Sequence, residues 1–229
     1  ATNRDEWVYD KSRENLIEKM KYFIEIYNLH SKNCNEYDTE IKWSRNLKRR
    51  LNRNTREELQ LKNVRPVFYR PFNKIFIYYS SLFNDELGSS NFIFPKNFEC
   101  GNLSFTTMGD SSDKPFFVLG IDTLCDLNFV SPASGGSLTF PLYRYTKSGE
   151  RLDNVTDWAL AQFNAHYGVN EAITKEAIFA YCYAILHDPV YRERYAQNLK
   201  RDFPRIPLYD DFARWVGWGQ ALLDLHIGY

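Results

Sequence analysis

The 229-residue chain lacks the short motifs by which most enzymes are recognised. No G-x-x-x-x-G-K-[ST], H-E-x-x-H or G-x-S-x-G occurs, which excludes the familiar phosphate-cradling loop, zinc-protease helix and nucleophile elbow. Gly217 and Gly219 have the first spacing of G-x-G-x-x-G, but Leu222 stands where the third glycine belongs and the segment reads as helix. Cysteine is scarce: Cys34, Cys100, Cys125 and Cys182 form no C-x-x-C pair and have no histidine arranged with them for metal. That excludes a zinc site and a compact disulfide framework, and predicts reduced thiols. His30, His166, His187 and His226 are isolated and read as surface or packing residues. Asp38 with Glu40-Ile41-Lys42 has the acid and E-x-K elements of metal-dependent nucleases, but its flanks are not those of a buried strand. An autonomous enzyme is not expected. No apolar run is long enough for a membrane span, and the charged opening ATNRDEWVYD has no signal-peptide core. A cytoplasmic protein without a membrane partner is the expectation. The opening also lacks an initiator Met and reads as that of an excised piece.

Net charge is absent too, since 29 basic residues balance 29 acidic ones. The balance hides an asymmetry. Residues 1–75 hold 17 basic and 11 acidic side chains, 76–150 hold 4 and 8, and 151–229 hold 8 and 10. The N-terminal third is therefore the part expected to face an anion. Its cations concentrate in KWSRNLKRRLNRNTR, residues 42–56, a run without an acid that contributes Lys42, Arg45, Lys48, Arg49, Arg50, Arg53 and Arg56. On a continuous helix at about 100° per residue, Lys42, Arg45, Arg49, Arg53 and Arg56 fall within an arc of roughly 80°. Ile41, Ser44, Leu47 and Leu51 lie on another side. Such a stripe suits a polyanion, because each neutralised phosphate releases counterions and no particular base sequence is required. The other reading is a solvated helical face.

Hydrophobic residues at 44% and aromatics at 17% suffice for a packed core, in one large domain or two small lobes. Ser12 is placed to cap a helix in which Leu16, Ile17, Met20, Phe23, Ile24 and Tyr27 recur at helical spacing. From Val64 to Thr146, short aromatic and β-branched runs such as VRPVFYRPF, KIFIYYS, LSFTT and PFFVLGI alternate with Asn, Asp, Gly, Pro and Ser clusters. They predict a sheet with substantial loops. Beyond Asn154 the helical period returns. Thr156 caps DWALAQFNAHY with Gly168 past its end, Thr174 caps KEAIFAYCYAILH, Asp188-Pro189 opens VYRERYAQNLKRDF, and a last helix runs from about Asp211 to His226. Trp158, Phe163, Phe179 and Trp215 are expected in the core. The predicted class is α+β: N-terminal helices including a basic one, a central mixed or antiparallel sheet with long loops, and a C-terminal helical lobe. The expected division is 1–150 and 151–229.

Between two sheet runs, the loop TTMGDSSDK offers Thr107, Ser111, Ser112 and Lys114, side-chain types that can meet base edges in a major groove. An ordinary hydrophilic turn is the alternative. Arg65, Arg70 and Lys74 flank aromatic strand residues, where they either extend a phosphate track or pair with acids at the sheet rim.

Several segments, taken in order, resemble a known family: TNRDEWVYD, IKWSRNLKRRL, RPVFYRPFNKIFIYY, FPLYRY, DNVTDWALAQFNAHYG, ITKEAIFAYCYAILHDPVYRERYAQNLKRDFPRIP and ALLDLHIGY. The family is the C-terminal target-recognition (specificity) domain of the single-polypeptide, ATP-dependent restriction-modification enzymes called Type ISP. The likeness extends over most of the chain. It implies double-stranded DNA recognition, beside a nuclease, a helicase and an N6-adenine methyltransferase on the same polypeptide. The methyltransferase's Asn-Pro-Pro-aromatic motif and glycine-rich cofactor loop are missing here, so S-adenosylmethionine, ATP and Mg are expected in other domains and no catalytic residue carries over. The resemblance thus implies a non-enzymatic module with double-stranded DNA and the methyltransferase domain as partners. In it Lys42, Arg45, Lys48, Arg49, Arg50, Arg53 and Arg56 face phosphates with Arg70 and Lys74 nearby, and the loop from Thr107 to Lys114 contributes to base readout. The competing reading is a non-catalytic scaffold that docks its basic face on a partner domain of the same polypeptide.

Overall fold

A computed structural model describes residues 4–30, 36–37, 39–85, 88–95, 101–108, 115–130, 136–169 and 172–229. In chain order the elements are α1 (Asp5–Val8), β1 (Tyr9–Asp10), α2 (Arg13–Leu29), α3 (Arg45–Asn52), β2 (Val64–Arg70), β3 (Asn73–Tyr78), α4 (Ser90–Ile93), β4 (Ser104–Met108), β5 (Val118–Ile121), β6 (Leu124–Cys125), β7 (Ser137–Pro141), β8 (Tyr143–Tyr145), β9 (Arg151–Asp153), α5 (Asp157–Tyr167), α6 (Lys175–His187), α7 (Pro189–Arg194) and α8 (Phe212–Ile227). The architecture is α+β, as the change of period along the chain predicts.

The first half builds a four-stranded sheet in the order β1-β3-β2-β6, antiparallel except for the parallel pairing of β6 with β2. Helix α2 covers it. The Ser12 hydroxyl accepts from Asn15 N at 3.1 Å, and Leu16, Met20, Phe23, Ile24 and Tyr27 supply the buried stripe. A second sheet, β5-β4-β7, is antiparallel throughout and separates two cores. Side chains alternate across a strand, and β5 uses both faces: Leu119 and Ile121 join the first core, while Val118 joins the second. On the second side Phe105 packs among Phe140, Phe179 and Tyr183. Gly120 leaves room for α8, since a Cβ there would stand 2.9 Å from Leu223 Cδ2, and its N–H donates to Tyr183 Oη at 2.7 Å.

The helical region follows its caps. Thr156 Oγ1 accepts from Ala159 N, Thr174 Oγ1 from Ala177 N, and the Asp188 carboxylate from Val190 N and Tyr191 N. Helices α6 and α8 cross so closely that a Cβ on Gly219 would lie 1.9 Å from Ala180 O. Gly219 thus serves helix packing, whereas nothing stands within 4 Å of a Cβ placed on Gly217.

Two expectations need correction. Trp158 is 72% exposed: it sits in the first turn of α5, whose buried contact is made by Phe163. The helix opened by Asp188-Pro189 stops at Arg194 instead of continuing through Phe203. A continuous helix would put residue 205 about 20 Å from residue 191, whereas the chain turns back so that Tyr191 Oη donates to Arg205 O at 2.9 Å. The second core also takes in Phe105, Val118 and Leu142. Among the described residues, no helix is long and apolar enough to cross a membrane.

Candidate nucleic-acid interface

The basic run becomes a helix of only eight residues. Ser44 Oγ caps it by accepting from Leu47 N at 3.2 Å. Leu47 and Leu51, both 0% exposed, fasten its underside to the first core. At its entry Trp43 lies against the rings of Tyr27, His30 and Tyr37. At its exit Arg53 N bonds to Arg49 O and Arg50 O, and Asn54, at φ 60°, turns the chain away. Leucines below and aromatics at the entry hold the helix so that its other side faces solvent.

That side lines an open groove of about 1160 Å³ formed by Trp43, Arg45, Asn46, Lys48, Arg49, Asn52, Arg53 and Asp85. Arg49 Nη2 donates to Asn46 Oδ1 at 2.6 Å, and Lys48 Nζ stands 4.2 Å above the Tyr37 ring. The one acid in the wall is neutralised from beneath. Asp85 Oδ1 accepts from Arg4 Nη2 at 3.0 Å and from Asn46 Nδ2 at 3.2 Å, and Arg4 is itself 0% exposed. Among the described residues, Arg45, Lys48, Arg49 and Arg53 form no salt bridge. Their charge is left facing the groove, the condition under which a polyanion gains most by binding.

Over its whole length, residues 1–229, the sequence matches the family model of the Type ISP C-terminal specificity domain. The chain belongs to that family. It is similar over 100% of its length to a chain in a cryoEM structure of a DrdV–DNA complex, at 39% identity and a TM-score of 0.91, covering 22% of that chain. A nuclease-deletion mutant of the Type ISP restriction-modification enzyme LlaGI, in complex with a DNA substrate mimic, gives 30% identity and 0.80, with 21% of that chain covered. The ATP-dependent Type ISP restriction-modification enzyme LlaBIII bound to DNA gives 27% and 0.86, with 15% covered. The domain thus spans about a fifth or less of these chains. No curated protein matches it.

In this Type ISP specificity domain the expected stripe is shorter than a continuous helix would make it. Lys42 is exposed and precedes the helix. Arg50 turns toward the protein, with its Nε buried and without a hydrogen-bond partner. Arg56 lies beyond the turn at Asn54, where Nη1 donates to Asn28 O at 2.8 Å and His30 O at 2.7 Å, the carbonyls at the end of α2. Nearby, burial pushes the Tyr27 hydroxyl up to about 12, with Arg56 and Arg50 pulling the other way.

At the sheet rim two of the three cations meet acids. Arg70 Nη1 meets Asp126 Oδ1 at 2.7 Å and lies over the Tyr69 ring at 4.0 Å. Lys74 Nζ meets Asp122 Oδ1 at 3.1 Å and lies over Phe68 at 4.7 Å. Arg65 donates to Phe94 O at 2.9 Å, and burial lowers its pKa. Thr107 is 3% exposed inside β4, paired with Val118 and Leu138, so its hydroxyl is not at the surface to read a base. Ser111, Ser112 and Lys114 lie outside the described residues, as does Asp38. Glu40 and Lys42 occupy an irregular segment, and no group of three metal-ligating side chains occurs among the described residues. Asn46, Asn52 and Asp85 are groove residues that charge counting missed. Asn46 carried a usable signal, standing one helical turn before Arg49.

Proposed function

We propose that this specificity domain recognises double-stranded DNA and that α3 carries its phosphate contacts, through Arg45, Lys48, Arg49 and Arg53. The observation that carries the reading is the ion pairing. These four cations share one open groove and meet no described carboxylate, while Arg70 and Lys74 at the sheet rim are internally neutralised. The DNA complexes of its structural relatives support the same reading. Phosphate contacts set register without selecting sequence, so base readout belongs to other elements. We assign it to the loop holding Ser111, Ser112 and Lys114 on side-chain chemistry.

We infer further that the domain works within a longer cytoplasmic polypeptide and directs N6-adenine methylation and ATP-dependent restriction by other domains. In that arrangement S-adenosylmethionine, ATP and Mg are used elsewhere, and the methyltransferase domain is the neighbour of this one.

The test is fluorescence anisotropy with mixed-sequence duplex DNA across a salt series. The expected slope of log K against log salt is about −0.9 for each phosphate neutralised, and R45A/R49A/R53A is expected to reduce its magnitude by about 3. A triple variant that binds like the parent would overturn the assignment of α3.

A further inference from the structure

The acid in the wall of the α3 groove is out of keeping with the cations around it. A carboxylate repels a phosphate, so electrostatics alone would have the site without Asp85. Its position is set from below. Phe83, 0% exposed, packs its ring against Phe23 and Tyr27 of α2, and its carbonyl accepts from Arg4 Nε at 3.2 Å and Nη2 at 2.8 Å. The same Nη2 donates to Asp85 Oδ1 at 3.0 Å. A guanidinium buried as fully as that of Arg4 calls for a carboxylate, and Asp85 supplies it while its own side chain stays 24% exposed.

From Asp85 the bonding continues outward to the helix. Its Oδ1 also accepts from Asn46 Nδ2 at 3.2 Å, and Asn46 Oδ1 accepts from Arg49 Nη2 at 2.6 Å. An ionised carboxylate only accepts and a guanidinium only donates, so a side chain between them must offer a donor to one and an acceptor to the other. The asparagine amide does this in a single orientation. Asn46 and Arg49 lie on one face of α3, and Leu47, 0% exposed, fixes the backbone between them in the first core. The chain of bonds thus ties the exposed Arg49 to buried structure. It occupies one nitrogen of the guanidinium, and the other donors suit a phosphate. A long side chain ordered beforehand loses less freedom when its ligand arrives.

We propose that Asp85 and Asn46 are positioning residues for Arg49, holding its guanidinium in the groove ready for a phosphate. The proposal rests on the DNA reading above. It gives the acid a favourable part in a site for polyanions.

The test is a double-mutant cycle read by anisotropy on mixed-sequence duplex DNA across a salt series. Asn46→Ala is expected to weaken binding about threefold and to leave the salt slope unaltered, since Arg49 and its charge remain. In an R49A background the same change should have no effect, and in an R53A background it should again weaken binding about threefold. Asp85→Leu removes a negative charge from the groove yet should also weaken binding about threefold, while Asp85→Asn keeps an acceptor for Asn46 and should bind at least as tightly as the parent. Should Asp85→Leu unfold the domain by stranding Arg4, the Asn46 cycle decides alone, because the melting temperature of N46A is expected within about 3 °C of the parent. The same loss from N46A in the R49A background would place Asn46 on the DNA itself and overturn the proposal. Tighter binding by a folded D85L would reduce Asp85 to a repulsive charge and overturn its part in the chain. Parent-like binding by N46A, with R45A/R49A/R53A still flattening the slope, would overturn the positioning and leave α3 standing. If the parent shows no salt-dependent binding, the DNA reading falls and this proposal falls with it.

Discussion

Two sets of cations start alike in the sequence and end differently in the fold. Arg45, Lys48, Arg49 and Arg53 stand on a short helix above two buried leucines, and none forms a salt bridge among the described residues. Arg70 and Lys74 stand at the sheet rim, and each closes on an aspartate. What differs is the counter-charge that tertiary structure brings. The parallel pairing of β6 with β2 carries Asp126 to Arg70, and Asp122, just before β6, meets Lys74. A rim cation is then satisfied twice, by a carboxylate and by an aromatic face. Little of its field is left for a distant phosphate, whereas the α3 cations keep theirs. Equal local charge therefore has unequal functional meaning, and the neighbours in space decide which kind it is.

The largest effect is expected where the rim charges are removed from inside. Asp126 is 4% exposed and accepts from Arg70 Nη1, from Tyr9 Oη at 2.9 Å and from Asn128 N at 3.0 Å. Asp126→Ala strands all three donors and should cost about 3 kcal/mol in urea unfolding. The salt slope of DNA binding should not change. A loss below about 1 kcal/mol would show that the rim cations are as loosely held as those of α3, and the comparison would dissolve.

Next comes the exchange of effects between single residues. Arg49→Ala should weaken duplex binding about fivefold and lower the slope by about 1, with stability within about 0.5 kcal/mol of the parent. Arg70→Ala should do the converse, lowering stability by about 1–2 kcal/mol and leaving the slope alone. Paired anisotropy and unfolding measurements on the two variants check this. A slope that falls equally in both would place the rim in the same phosphate track.

How far all this is legible in the sequence depends on the range of the interaction involved. Caps are local, so Ser12, Thr156 and Thr174 were readable and act as expected. The buried stripe of α2 and the change from helical to strand period are also local patterns. The fate of Arg70 was not readable, because its partner lies 56 residues away and arrives through strand pairing. The stripe on α3 was readable only as far as Arg53. One residue in the left-handed region, Asn54, ends the helical geometry that the count to Arg56 assumed. Trp158 departs from the tendency of large aromatics to be buried, because its place in the first turn of α5 leaves it outside the core. Gly219 drew notice as part of an incomplete nucleotide motif, whereas it answers to a backbone carbonyl on another helix.

Arg56 gives the smallest predicted effect and the sharpest division between the two kinds of cation. By sequence it belongs with α3, yet its Nη1 donates to the two carbonyls at the end of α2, where a cation also meets the negative end of the helix dipole. If it is a tether, Arg56→Gln should lower unfolding stability by roughly 0.5 kcal/mol and leave the salt slope unaltered. If it is a phosphate contact, stability should hold and the slope should fall by about 0.9. The tether is the expected result, because both carbonyls lie within 2.8 Å of the same guanidinium nitrogen and a phosphate would have to draw it away from them. A fall in slope with unchanged stability would mean that this exchange happens on binding, and Arg56 would then have to be counted with the groove.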